Sequence, residues 1–333
     1  MPLRLLYLIQ IVFLVACAAT EKHDKYTIDV LLLWYNMEAA ALPILRVQWR
    51  PAMIAICPNP FRDKKCALTL RIAALLNENG YRTCICPIFA DSADGVLPDG
   101  LETRRLEDAA GECSLIIVVG GDGTILHAAR QLHSNAVPLL GINLGTKGFM
   151  ANLEPEEYKY VLCAAKGEYT LSRRMKLDVS LIRNGEEICR DQALNDAVIH
   201  GYGDCIRISA FCNGNHITAF SGDGIILSTP TGSTGYSMSA GGPIVEPNAE
   251  AIIISPICAH MMSSRSFVLS PEDVITVEME KQHDRRAYLS VDGNSVMDLA
   301  GGDKLIVRRS DSHTLMADLG LRNFYAIAFE KLR

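Results

Sequence analysis

The run Leu115-Ile-Ile-Val-Val119 is apolar at every position and passes straight into Gly120-Gly-Asp-Gly-Thr124. An uninterrupted apolar run of this length reads as a buried strand, and a Gly-rich turn followed by helical spacing makes it half of a βα unit. The segments around it repeat the pattern. Strands are predicted at 53–57, 82–87, 115–119 and 138–142, with helices at 64–79, 124–134 and 154–166. In the first helix Leu68, Ile72, Leu75 and Leu76 share a face, and Gly80 stands where a C-cap belongs. Alternation of this kind calls for a mainly parallel sheet with helices on its faces.

From about 170 the texture changes to short β-rich runs, at 175–182, 188–200, 205–212, 215–220, 224–228, 251–255, 266–269, 273–279, 286–291 and 304–308. Turn pairs Asn184-Gly185, Asn213-Gly214 and Asp292-Gly293 punctuate them. The expected fold is therefore an N-terminal α/β domain with a mainly parallel sheet over 53–169, and an antiparallel β-sandwich-like domain over 170–317. The segment 318–333 is helix-compatible and returns to the first domain. A cleft between the two domains is the expected site.

Residues 1–52 stand apart. An apolar run at 3–16 ends in Leu14-Val-Ala-Cys17, which resembles a secretory or lipoprotein signal. The α/β pattern begins only at Met53, so 1–52 is read as an upstream extension, dispensable for activity. Lys and Arg number 32 against 38 Asp and Glu, a net charge of −6, which speaks against a general nucleic-acid binder. The cysteines number 11 and show no CxxC spacing, which suits free thiols in a reducing cytoplasm. His200 and His260 lack the spacing of a zinc site, and no metal ligands are assigned.

Three segments carry chemistry. In Gly120-Gly121-Asp122-Gly123 the glycines let a ligand approach the backbone, and the helix start that follows favours phosphate. Asp122 repels phosphate there unless it takes a proton or holds a metal, so it is placed for chemistry; its plainer role is an N-cap. The second segment, Ser228 to Pro243, is dense in hydroxyls around Tyr236. Hydroxyls suit ribose and phosphate, and the ring suits a base. The third is Asn195-Asp196 within an apolar run, where a ribose contact and a simple bulge are both open.

Taken together these segments resemble the NAD kinases, over most of 53–333. Gly120-Gly-Asp-Gly-Thr matches the family's first motif, which lipid kinases share. Asn143-Leu-Gly-Thr-Lys-Gly-Phe149 is similar to its second Gly loop, and Ser228–Pro243 to its long signature. Pro256-Ile-Cys-Ala-His260 with Ser264-Arg265 also fits. Asp196 stands where the family has Glu, Gly235 where it has Ala, Asn294 where it often has Gln, and Ser264 where it has Asn.

The resemblance implies transfer of a phosphoryl group from ATP, or another donor, to the 2′-hydroxyl of the adenosine ribose of NAD. Mg²⁺ or another divalent cation would accompany it. Asp122 is the implied general base. Gly120, Gly121, Gly123, His127 and Phe149 are assigned to the nucleotides, His127 either reaching a phosphate or lying on the helix surface. Asn195 and Asp196 are assigned to ribose hydroxyls. Asp223, Thr234, Gly235, Tyr236, Ser237, Met238 and Ser239 are assigned to the dinucleotide site, and Asn294 to a neighbouring turn. A homodimer or homotetramer in the cytoplasm, with no nucleic-acid or stable membrane partner, is expected. The competing functions are a lipid kinase and a non-catalytic NAD sensor.

Overall fold

The computed structural model describes residues 53–89, 101–132, 137–145, 148–260, 265–280 and 286–331, the side chains of 295 and 296 apart. The expectations for 1–52, for Thr146-Lys147 and for Ser264 lie outside these residues.

Strands β1 (Met53–Pro58), β2 (Thr83–Ile85), β3 (Cys113–Gly120) and β4 (Leu139–Asn143) run parallel in the order β2-β1-β3-β4. Helices cover both faces. Ile72 and Leu76 of α1 (Ala67–Glu78) meet Ile54, Ile56, Ile117 and Val119 on one side. Ile125, Ala128 and Leu132 of α3 (Asp122–Leu132) meet Ala55, Cys57, Ile116 and Val118 on the other, together with α2 (Leu106–Ala109). Burial on both faces is why these strands carry no polar alternation. Gly80 takes φ +82 just beyond α1, as a left-handed C-terminal residue does.

The β-rich half contributes two layers. Strands β5 (Thr170–Arg183), β6 (Glu186–Ala193), β8 (Ile206–Cys212), β9 (Asn215–Gly222), β13 (Ile275–Met279) and β16 (Lys304–Asp318) join the first sheet. Strands β7 (Asp196–Gly201), β10 (Gly224–Ser228), β11 (Ile252–Ile257), β12 (Phe267–Leu269), β14 (Ala287–Val291) and β15 (Ser295–Leu299) form a second. Leu177, Val179, Ile208, Val277 and Leu305 of the first layer pack on Ile225, Leu227, Ile252, Ile254 and Leu289 of the second, which is the expected sandwich.

Four details differ from the sequence reading. The last long strand runs to Asp318, beyond 308, because a register shift between Arg309 and His313 absorbs the polar run Arg309–Ser312. Its far end reaches β4 in parallel through Met316 and Leu139, while its body pairs antiparallel with β5 and β13. One sheet thus runs through both halves. The run 188–200 is two strands, β6 and β7, with a bend at Leu194-Asn195. The turn Asp292-Gly293 opens onto β15, which the sequence reading lacks. The segment 154–166 is a 3-10 turn at Pro155–Tyr160 running into α4 (Val161–Ala165). The chain end forms α6 (Phe324–Lys331), tied to the α/β half by Arg322, bidentate on Glu157 at 2.8 Å, and by Lys331 at 3.5 Å from Glu154.

Candidate active site

β3 delivers its Gly-rich turn at the carboxyl end of the parallel sheet, where open α/β sheets place their ligands. A Cβ on Gly120 would collide with the Thr124 side chain, so no larger residue fits there while Thr124 keeps its place. Gly120, Gly121 and Gly123 do not use positive φ; crowding excludes a side chain at Gly120, while a Cβ on Gly123 would meet open space. Asp122 is the first residue of α3. Its carboxylate accepts the N–H of Phe149 at 2.9 Å and of Met150 at 3.1 Å. Burial pushes its pKa above the ordinary carboxylate value, while those N–H groups and the distant Lys331 charge oppose the shift. The result is a desolvated, fixed carboxylate of increased basicity.

Gly121, Asp122, Gly123 and His127 line a cavity of about 370 Å³ with Asn59, Arg62, Phe89, Thr124, Gly145 and Gly148. Asn59, Arg62 and Phe89 escaped the sequence reading; Asn59-Pro60 directly after β1 was the available signal. The Asn59 amide donates to Thr124 Oγ1 at 2.8 Å and its Oδ1 accepts the Phe61 N–H at 3.1 Å. His127 packs edge-on against Phe89, centroids 4.8 Å apart. Burial, then the Arg130 charge, holds its pKa below the usual histidine value, so it meets the cavity as a neutral ring.

Asn195, Asp196 and Tyr236 line a second cavity of about 390 Å³ with Val198, His200, Tyr288, Ser290, Asp292 and Gly293. The bend 194–196 that opens it is held from both sides. Asp292 accepts the N–H groups of Leu194, Asn195 and Asp196 at 2.8, 2.7 and 3.1 Å. Thr229 Oγ1 donates to the Leu194 carbonyl at 2.6 Å, and Ser228 Oγ to that of Asn195 at 3.2 Å. Burial, and then the charge of Asp292, pushes Asp196 up to about 7. Asn195 Oδ1 is buried and, among the described residues, accepts no hydrogen bond.

The hydroxyl-rich segment differs from its reading as a row of ligand contacts. Ser228, Thr229, Ser233 and Ser237 are fully buried. Ser233 donates to the Pro230 carbonyl at 2.6 Å, and Ser237 meets Ser255 at 3.0 Å. Thr234 donates to the Thr231 carbonyl at 3.3 Å. These groups satisfy the chain as it leaves β10 and doubles back into α5 (Tyr236–Ser239). Gly235 faces the Asn195 amide, a Cβ there lying 3.6 Å from it. Met238 is half-buried and Ser239 is exposed, and neither is among the residues lining these two cavities. Asp223 lies against the Cys258 thiol and raises its pKa. Asn294 closes its turn by donating to the Asp292 carbonyl at 3.1 Å.

The two groups of residues therefore line separate cavities, one in each half. A third cavity is lined by Arg130 of α3 and by Asp292, which it shares with the second. Among the described residues no three His, Cys, Asp or Glu side chains converge to hold a metal ion. Every described cysteine is a free thiol.

Family models for the ATP-NAD kinase N-terminal domain and C-terminal domain match residues 54–166 and 194–319. An NAD kinase of Natranaerobius thermophilus is 38% identical over 284 residues, 84% of this chain and 97% of the relative. This chain belongs to the NAD kinase family. A second relative, the NAD kinase of Trichlorobacter lovleyi, is 40% identical over 70% of this chain and 82% of its own length. Among solved structures, yeast NADH kinase complexed with NADH aligns with a TM-score of 0.74 at 26% identity, over 84% of this chain and 87% of that one. An NAD kinase from Archaeoglobus fulgidus in complex with ATP aligns with a TM-score of 0.67 at 25% identity, over 84% of this chain and 98% of that one. Membership in this family rests on both halves, including the long signature. The lipid-kinase and sensor readings, prompted by Gly120–Thr124 and by nucleotide-binding features alone, have no support in these matches.

Proposed function

We propose that this chain phosphorylates NAD with ATP, at the 2′-hydroxyl of the adenosine ribose, with Asp122 as general base. The observation that carries the reading is a single desolvated carboxylate at the start of α3, fixed by two backbone N–H groups beside a Gly-lined cavity. The Asp122 carboxylate accepts the hydroxyl proton as the ribose oxygen attacks the γ-phosphorus. The bond from the γ-phosphorus to the β,γ-bridging oxygen breaks and ADP leaves. The Gly121–Gly123 backbone and Arg62 bind the triphosphate. Mg²⁺ or another divalent cation would arrive with the nucleotide, as MgATP, and screen its phosphate charge. A coupled assay of NAD, ATP and Mg²⁺, reading NADP with an NADP-specific dehydrogenase, tests the activity; absence of ATP-dependent NADP refutes it.

The second cavity takes the dinucleotide. The buried Asn195 Oδ1 is an acceptor awaiting a donor, which a ribose hydroxyl supplies. Tyr236, 41% exposed at the cavity wall, offers a ring face to a base. Tyr236→Ala is expected to raise the KM for NAD about 5- to 150-fold, matching about 1–3 kcal/mol of stacking, and to leave the KM for ATP unchanged. Equal changes for both substrates count against the role.

Asp196 gives the site a pH dependence. Its ionised form is the better acceptor for a ribose hydroxyl, so the KM for NAD falls as pH rises through about 7. Stability runs the other way. A folded pKa above the unfolded value of roughly 3.9 contributes stability below that value, lost as pH rises through about 7. Asp196→Asn is expected to flatten both profiles, as read by steady-state kinetics and thermal melts; unchanged profiles would remove Asp196 from both effects.

A cytoplasmic homodimer or homotetramer completes the proposal. Free thiols throughout the described residues and ATP as donor suit that compartment. Tyr325 and Phe329 of α6, 69% and 65% exposed, suit burial between copies. Among the described residues no helix is long and apolar enough to cross a membrane.

A further inference from the structure

Beside the cavity that holds Asp122, three rings stand in a row. His127 packs edge-on to Phe89, with centroids 4.8 Å apart, and Phe89 edge-on to Phe61 at 5.9 Å. Phe61 ends the row and is 70% exposed, the largest fractional exposure of any large apolar side chain described. It does not sit on a loose loop. Its N–H donates to Asn59 Oδ1 at 3.1 Å, and the same Asn59 reaches Thr124 of α3 at 2.8 Å. The next residues return to Asn59 as well, the N–H groups of Arg62 and Asp63 donating to its carbonyl at 3.0 and 2.8 Å. The Asp63 carboxylate then accepts the N–H groups of Leu68 and Thr69 at the start of α1, at 3.0 and 2.9 Å. A bare aromatic face is thus fixed to the same framework as the phosphate turn. The cavity itself supplies the Gly121–Gly123 backbone and Arg62 for a polyphosphate.

We propose that Phe61, backed by Phe89, is the shelf on which the nucleobase of the phosphoryl donor stacks, making the donor site selective for a nucleoside triphosphate over a base-free polyphosphate. This rests on the assignment of the Gly120–Thr124 cavity to the donor. A flat ring with one open face recognises any base by its π-face and offers nothing to a linear phosphate chain. Because Asn59 and Asp63 hold the loop before ligand arrives, little ordering cost opposes stacking.

The test is isothermal titration of the full chain with MgATP and, separately, with magnesium tripolyphosphate, which keeps the phosphates and lacks the base. For Phe61→Ala the Kd of MgATP is expected to rise about five-fold or more, the lower end of measured base stacking. The Kd of tripolyphosphate should stay within about two-fold, and Phe61→Tyr should bind both ligands as the parent does. An unchanged ATP affinity in Phe61→Ala overturns the shelf. Equal weakening of both ligands also overturns it, since the ring would then only support the phosphate loop. A parent chain that binds tripolyphosphate as tightly as ATP refutes the selectivity. A parent chain that binds neither overturns the donor-site assignment, and the shelf with it. NADP formation by a chain with an intact ATP affinity in Phe61→Ala would leave the proposed activity standing and remove the shelf alone.

Discussion

Asp122→Asn is expected to lower kcat for NADP formation by about 10²–10⁴-fold, the usual loss when a general base is removed. The substituted amide keeps one acceptor for the paired N–H groups of Phe149 and Met150. The other N–H then faces the amide NH2 and loses its acceptor, at about 1–3 kcal/mol; the fold should survive this loss, as circular dichroism with a thermal melt checks, and both KM values should change little. The pH profile offers an independent reading. Burial raises the Asp122 pKa, so the acid limb of kcat in the parent enzyme should lie above the ordinary aspartate value. A folded Asp122→Asn chain with near-parent turnover would take Asp122 out of the reaction.

Asp292→Ala has the next largest expected effect, on stability and on the dinucleotide together. One carboxylate satisfies three successive backbone N–H groups, those of Leu194, Asn195 and Asp196. Removing it leaves all three without that acceptor, at about 1–3 kcal/mol for each buried donor. Relief of the buried charge and local relaxation offset part of this, so a net loss of roughly 2–4 kcal/mol is expected in denaturant unfolding. The bend carrying Asn195 and Asp196 then loosens, and the KM for NAD rises while ATP binding holds. Asp292→Asn, which keeps one acceptor, should fall between. Full stability in both variants would mean that the Thr229 and Ser228 hydroxyls hold the bend unaided.

Asp292 also shows where the sequence stops being legible. The turn pair Asp292-Gly293 is visible as a hairpin signal, and a turn aspartate has a sufficient local explanation. Nothing in the sequence tells that its carboxylate reaches back across 96–98 residues to the 194–196 bend. The same limit affects the long signature. Its hydroxyl density is plain, yet burial decides their direction: Ser228, Thr229 and Ser233 turn inward to carbonyls, and Ser237 to the Ser255 hydroxyl. Periodicity, by contrast, is a local property. The parallel strands and their helices were readable because each element carries its own apolar pattern. Asp122 was readable for the same reason: a carboxylate has no routine place in a phosphate-friendly turn. Phe89 carries no such mark, and Asn59 carries only the Asn-Pro pair after β1, which does not tell that its amide reaches Thr124 of α3.

β16 is the last in chain order of the described strands and sits in the middle of the sheet. Until it emerges from the ribosome, β5 has only β6 beside it, β13 has only β8, and β4 presents an open edge. The nascent chain must therefore carry three incomplete sheet edges through most of its synthesis, a state prone to pairing with other chains. Folding cannot finish half by half, because the strand that closes the sandwich is also the one that joins it to the parallel strands. Loss of residues 304–333 would cost far more than a terminal helix: it would leave three fragments of a sheet with nothing to join them.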